Sequence, residues 1–244
     1  MIDLYKPNTD NMLNILITSG GTREYIDDVR VLTNISSGGL GAIIAETFLN
    51  QNIYTRHTQT VVNYKIHYVS SKNTIKPRLN RYFSIHEIEY YDVTDVQSVY
   101  DVMEKIVPEM DIVIHCMAVS DFGFKPIKTK LKSSDPAAFI ESLKDRIFQT
   151  PKILPMIKQW NPNCKLVSFK FEVDLPHNEL IQIAKKSMLS GNSNIVIAND
   201  KSEMVENKSH IAYGLCGEEE IKLENKLDIA KYIFEKIKKI SNEK

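Results

Sequence analysis

The sequence predicts an α/β fold: a Rossmann-like, doubly wound, mostly parallel sheet with a small edge hairpin and a mobile flap. Three observations predict it. Short apolar runs alternate with amphipathic segments of helix length from about residue 13 onward, the succession that places helices on both faces of a parallel sheet. Two of those runs, L-N-I-L-I-T at 13–18 and D-I-V-I-H-C-M at 111–117, are apolar nearly throughout, as strands covered on both faces are. The first run is followed by a long glycine-bearing connection, at the carboxyl end of a strand where open α/β sheets bind ligands.

That connection, 19–41, reads S-G-G-T-R-E-Y-I-D-D-V-R-V-L-T-N-I-S-S-G-G-L-G. Strand-to-helix connections usually span about two to six residues, so one of this length holding two glycine clusters reads as a binding device. Gly20 and Gly21 let backbone amides approach an anion, with the Thr22 hydroxyl beside them. Ser36, Ser37, Gly38 and Gly41 open the helix, where unpaired amides and the positive end of the dipole face the same crevice. Arg30 and Asn34 lie between the clusters. Plain helix capping by 38–41 is the competing explanation.

The helix that follows is expected to stop near Asn50, and residues 54–69 to hold one or two strands, including T-V-V at 60–62. Residues 70–81, polar and basic with Pro77, read as a surface loop. A strand at 85–93 leads to a helix with Val96, Val99, Val102, Met103 and Ile106 on one face, capped by Asp95 and ended by Pro108. The central strand at 111–117 runs into Ala118-Val119-Ser120-Asp121, which faces the glycine connection; Asp121 suits a ribose or base contact and equally a turn. Four lysines fall within 125–132, fitting a solvated edge or a loop that closes over phosphates. Thr150-Pro151 is a helix start with proline first. A strand at 165–172, a helix at 177–190, a strand at 194–198 with a turn at 199–200, an edge hairpin within about 210–223 and a lysine-rich helix at 226–239 complete the chain.

Composition narrows the function classes. The 244 residues are 43% hydrophobic, with 31 basic and 31 acidic side chains, which excludes a general binder of nucleic acid or anionic membrane. Residues 1–244 are expected to form a single domain. Nothing in the sequence has the length of a membrane span, so a cytoplasmic protein is expected. Cys116, Cys164 and Cys216 show no C-x-x-C spacing and the six histidines no H-x-x-x-H pair, so neither a disulfide framework nor a zinc cage is expected.

A longer pattern joins these pieces. The run T-S-G-G-T-R-E-x-I-D-x-V-R-x-x-T-N-x-S-S-G-x-x-G, then A-V-S-D-F, K-x-K at Lys130 to Lys132, T-P-K-I-L, S-F-K-F-E and I-A-N-D occur in that order. Together they resemble the phosphopantothenate-cysteine ligases of coenzyme A biosynthesis. The resemblance implies that 4'-phosphopantothenate is activated by CTP or ATP with Mg2+ to an acyl-nucleotide, which L-cysteine then attacks. It implies Asn34, Arg30 and Lys130 as catalytic residues, and Ala118, Asp121, Lys132, Phe169 and Lys170 as further nucleotide contacts. It also implies a homodimer, with the hairpin at 210–223 and the basic loop at 72–81 as the expected contact segments. Lys128 offers an alternative register for the flap lysine. With twelve residues before the first strand, the ligase is expected to stand alone, without flavin. The rivals are a nicotinamide-dependent reductase, whose G-x-G-x-x-G turn is missing here, and a non-catalytic nucleotide-binding protein.

Overall fold

The structure is a computed structural model that describes residues 12–58, 63–79, 87–128 and 136–242, with the backbone alone at 52–58 and 241–242. In chain order the elements are β1 (Met12–Ser19), β2 (Arg23–Tyr25), β3 (Val31–Thr33), α1 (Gly39–Thr58), β4 (Asn63–Ser71), β5 (Ile88–Val93) and α2 (Val96–Ile106) with a 3-10 turn at Val107–Glu109. Then follow β6 (Ile112–His115), β7 (Phe122–Phe124), α3 (Pro136–Lys144), β8 (Ile147–Gln149), α4 (Ile153–Trp160) and β9 (Lys165–Glu172). The chain closes with α5 (His177–Gly191), β10 (Ile195–Asp200), α6 (Lys201–Glu206), β11 (Ala212–Cys216), β12 (Glu219–Leu223) and α7 (Lys226–Asn242).

Eight of these strands form one sheet in the order β12-β11-β10-β9-β6-β1-β4-β5. From β5 to β10 every pairing is parallel, and β11 and β12 add an antiparallel hairpin at one edge. The chain leaves β1 toward β4 and β5, then crosses to β6, β9 and β10 on the other side. The switch point is therefore the gap between β1 and β6, which is where ligands of such sheets sit.

Both faces of the central strands are covered, which is why their sequences do not alternate. Ile15, Ile17, Ile66, Tyr68 and Ile114 face α1 and α7, where they meet Phe48 and Ile233. Leu16, Val113 and Leu166 face α2 and α4, against Val99, Met103 and Ile157. On the α1 side Phe48 packs edge-on to both Tyr64 and Phe234, with ring centroids 5.2 and 5.3 Å apart. Asp95 caps α2 in a reciprocal capping box with Ser98, as its position before the apolar stripe predicts.

Several expectations are corrected. Helix α1 continues eight residues beyond Asn50 to Thr58, since neither glycine nor proline interrupts it. Of the one or two strands expected within 54–69, one is seen at Asn63–Ser71, and residues 60–62 lie outside the described residues. Thr150 does not cap α4, because its hydroxyl donates to the Ser120 carbonyl at 2.5 Å; the helix starts at Ile153, with Pro155 in its first turn, where no backbone N–H is needed. Asn199 and Asp200 end β10, and Asp200 caps α6 by accepting from the Ser202 and Glu203 amides. Lys130 and Lys132, and with them the flap, lie outside the described residues. The two antiparallel pairs β2-β3 and β7-β8, together with α3, were not anticipated.

Phe48→Ala removes an aromatic side chain that is fully buried. It should lower the unfolding free energy by about 3–5 kcal/mol, read as a reduced urea midpoint with an unchanged denaturant slope.

Candidate active site

The two glycine clusters meet at one corner. Ser19, the last residue of β1, donates from its hydroxyl to the Gly38 carbonyl at 3.0 Å, and a Cβ on Gly41 would stand 2.6 Å from the same hydroxyl oxygen. Gly38 also holds a φ of +75°, open to glycine at little cost. The loop after β4 closes the corner: Ile75 N–H donates to the Ser37 carbonyl at 2.9 Å, and the Ser71 and Thr74 hydroxyls lie 2.9 Å apart. The result is a cavity of about 250 Å³ lined by Gly21, Arg23, Asn34, Ser36, Lys72 and Thr74 among others. Gly20, Gly38 and Gly41 thus build the corner, while Gly21, Asn34 and Ser36 face its cavity; Ser37 closes it through its carbonyl.

The β6 loop forms the opposite wall of the crevice. Gly21 and Ala118 make a parallel bridge, with Ala118 N–H donating to the Gly20 carbonyl at 2.8 Å and Thr22 N–H to the Ala118 carbonyl at 3.2 Å. The buried Thr22 hydroxyl accepts from Ser120 N–H at 3.0 Å. Asn34 adds a side-chain link, its Nδ2 donating to the Val119 carbonyl at 3.0 Å. Arg30 is fixed differently, by Asp27. One oxygen of that buried carboxylate accepts from the Val29 and Arg30 amides, each at 2.9 Å. The other lies 2.7 Å from Arg30 Nη1, and the Phe139 ring faces the guanidinium at 5.3 Å. Arg23, not Arg30, lines the glycine cavity.

Beyond the 118–121 loop lies a second cavity of about 410 Å³, walled by Pro151, Ile153, Leu154 and Val119, with His115 and Ser187 also lining it. Burial pushes the His115 imidazole down to about 4. Its Nδ1 lies 2.9 Å from the Thr18 hydroxyl, which also accepts from Met117 N–H; the ring is neutral near pH 7. Asp121 and Lys152, both lining this cavity, form an ion pair. Burial also raises the neighbouring Cys116 thiol to about 12, which disfavours its thiolate form. Phe169 packs against the core on the α1 side and Lys170 pairs with Glu172 at 2.8 Å; neither lines this cavity.

Sequence reasoning missed Arg23, Lys72, Thr74 and His115. The first stood inside the motif, and the histidine interrupted an apolar strand at its carboxyl end, so both carried a signal. Lys72 and Thr74 carried none, because only the parallel pairing of β4 with β1 brings their loop to the glycines.

A doubly wound sheet with a glycine-built, cation-bearing crevice at its switch point defines a Rossmann-like α/β protein whose crevice has the chemistry to accept an anion. The chain belongs to the family described as the DNA/pantothenate metabolism flavoprotein C-terminal domain, whose profile matches residues 11–240. It is 28% identical over 228 residues to the coenzyme A biosynthesis bifunctional protein CoaBC of Methanocaldococcus jannaschii, covering 93% of this chain and 50% of the relative. With the CoaBC of Thermococcus kodakarensis identity is 32% over 191 residues, covering 76% of this chain and 40% of the relative. The chain therefore spans about half the length of these curated relatives, or less. Among solved structures, a DNA/pantothenate metabolism flavoprotein from Streptococcus pneumoniae superimposes with a TM-score of 0.75 at 28% identity, covering 93% of this chain and 99% of the other. A crystal structure of a C-terminal domain of CoaBC, at 23% identity and a TM-score of 0.71, covers 95% of this chain and 97% of its own and shares the fold.

His115 makes stability depend on pH. Unfolded, the imidazole takes a proton near 6.5; folded, it stays neutral until about 4. Acid therefore favours the unfolded chain, and the contribution, complete above pH 6.5, should be lost as pH falls to 4, by about 3 kcal/mol. Denaturation of His115→Asn across this range should show a correspondingly shallower loss than the parent.

Proposed function

We propose that this chain is a phosphopantothenate-cysteine ligase of coenzyme A biosynthesis. The observation that carries the reading is the 118–121 loop, which lines one cavity through Val119, Ser120 and Asp121 and is bonded to Gly21 and Asn34, which line the other. A ligase that activates an acid with a nucleotide must bring two ligands to one point, and two cavities linked through one loop offer that. Family membership favours this reading over a nicotinamide-dependent reductase or a non-catalytic binder.

In the proposed reaction the carboxylate of 4'-phosphopantothenate attacks the nucleotide α-phosphate and pyrophosphate leaves. The amine of L-cysteine then attacks the acyl carbon, forming the amide and releasing the nucleoside monophosphate. Asn34, tied to Val119, presents its amide beside the reacting carbonyl, where a fixed dipole stabilises developing charge. Arg30 is pre-aligned by Asp27, so little side-chain freedom is left to lose when it meets a phosphate oxygen. The apolar walls of the His115 cavity suit a nucleobase, with Asp121 within reach of ribose hydroxyls. Among the described residues no group of three or more His, Cys, Asp or Glu side chains is gathered to hold a metal. Mg2+ would therefore be held mainly by the triphosphate, with Asp121 the carboxylate nearest to hand, and would neutralise phosphate charge.

CTP is the favoured nucleotide, on the strength of the long first motif. The proposed assembly is a homodimer. One group of exposed apolar side chains lies on β2, β3, β7, β8 and α3, including Val31, Leu32, Phe122, Ile140 and Phe148, and a second copy covering them would remove that surface from water. Among the described residues no helix is long and apolar enough to cross a membrane.

The test is pyrophosphate release. It should require both a nucleoside triphosphate and 4'-phosphopantothenate, and Asn34→Asp should slow it about 100- to 1,000-fold with circular dichroism unchanged. Wild-type turnover by that variant would remove Asn34 from the chemistry. With CTP and ATP present at equal concentration, CMP should accumulate over AMP.

A further inference from the structure

The glycine cavity carries more charge than the motif alone explains. Its lining includes two cations, Arg23 and Lys72, and no carboxylate. Neither cation has a hydrogen bond or ion pair among the described residues, although Arg23 is half-buried. Two nearby acids, Glu24 and Asp92, are committed elsewhere. Successive residues of β2 point to opposite faces, and the Glu24 carboxylate accepts from Val96 N–H at 2.9 Å on the far side. Asp92 is paired with Lys76 at 2.9 Å. A half-buried arginine whose charge has no partner among the described residues is placed to gain from an anionic ligand.

The second cavity has the opposite character. Its one lysine, Lys152, is neutralised by Asp121, and its walls are largely apolar. The first cavity thus offers two cations and no carboxylate, and the second a neutralised pair between apolar walls.

We propose that Arg23 and Lys72 form the subsite for a phosphate monoester, the phosphate group of the acid substrate, in the glycine cavity beside Asn34. This rests on the ligase reading and goes beyond it by naming the two side chains that recognise the phosphate. The monoester carries close to two negative charges at pH 7, matching the two cations. Arg23 offers its planar fork to two oxygens, and Lys72, on the loop after β4, approaches as a point charge from the opposite wall. Asn34 lines this cavity and also bonds the Val119 carbonyl, so an acid anchored by its phosphate here extends its carboxylate past Asn34 toward the 118–121 loop.

Calorimetric titration of the full chain with 4'-phosphopantothenate, with pantothenate and with CTP tests this without turnover. Arg23→Gln and Lys72→Gln should each weaken 4'-phosphopantothenate about 10- to 100-fold. Both should leave CTP within about twofold and bind pantothenate as the parent does, and Arg23→Lys should recover part of the loss. Weakened CTP with unchanged 4'-phosphopantothenate would assign the cavity to the triphosphate and overturn the proposal, as would no change in either ligand. Lys72 is exposed, so its variant reports even if the Arg23 variants fail to fold. Parent protein that binds 4'-phosphopantothenate yet releases no pyrophosphate would overturn the ligase reading and leave this subsite standing.

Discussion

The structure depends on one close approach of backbone to backbone. A Cβ on Gly21 would lie 2.4 Å from the Asn34 carbonyl oxygen, so only glycine lets the two ends of the β1 connection come this near. That approach brings Asn34 against the β6 loop, and the Ser19 to Gly38 bond brings the start of α1 against the end of β1. Without them the connection would be an open loop of about twenty residues, and its amides would face solvent and not a shared crevice. The polar groups of the site are thus positioned by sterics first and by hydrogen bonds second.

Asp27 shows how the same connection disciplines a long, flexible side chain. Its carboxylate is fully buried and accepts from two amides and a guanidinium nitrogen. A buried carboxylate is tolerated only when so satisfied, which means that the 26–30 turn and the orientation of Arg30 stand or fall together. Phe139 on α3 completes the support with its ring face.

The parallel core was legible because its central strands are covered on both faces and so read as apolar runs; β9 is more mixed in sequence, yet its bounds match the expected 165–172. The edge hairpin was legible from its Cys216-Gly217-Glu218 turn, and Gly217 does take a positive φ. The short pairs β2-β3 and β7-β8 were not, because strands of three residues carry too little period to distinguish from loop. Thr150-Pro151 misled because the threonine hydroxyl had a better partner in the Ser120 carbonyl, thirty residues away in the chain. At the site the glycines, Thr22, Ser36 and Asn34 were legible from one contiguous motif, and Ala118 from the separate A-V-S-D-F run. Lys72 and Thr74 were not, since their place is set by strand pairing that no local spacing encodes.

The crevice joins parts of the chain that are distant in sequence: Thr18 and His115 are 97 residues apart, and Asn34 and Val119 are 85 apart. Local contacts form early in folding and such distant ones late, because closing a long loop costs chain entropy before any contact offsets it. A nascent chain that has emerged only as far as α2 holds the glycine corner but lacks the wall that faces it. Ligand affinity is therefore a property of the finished sheet alone, and a bound ligand stabilises the native state without stabilising partial structures that precede it.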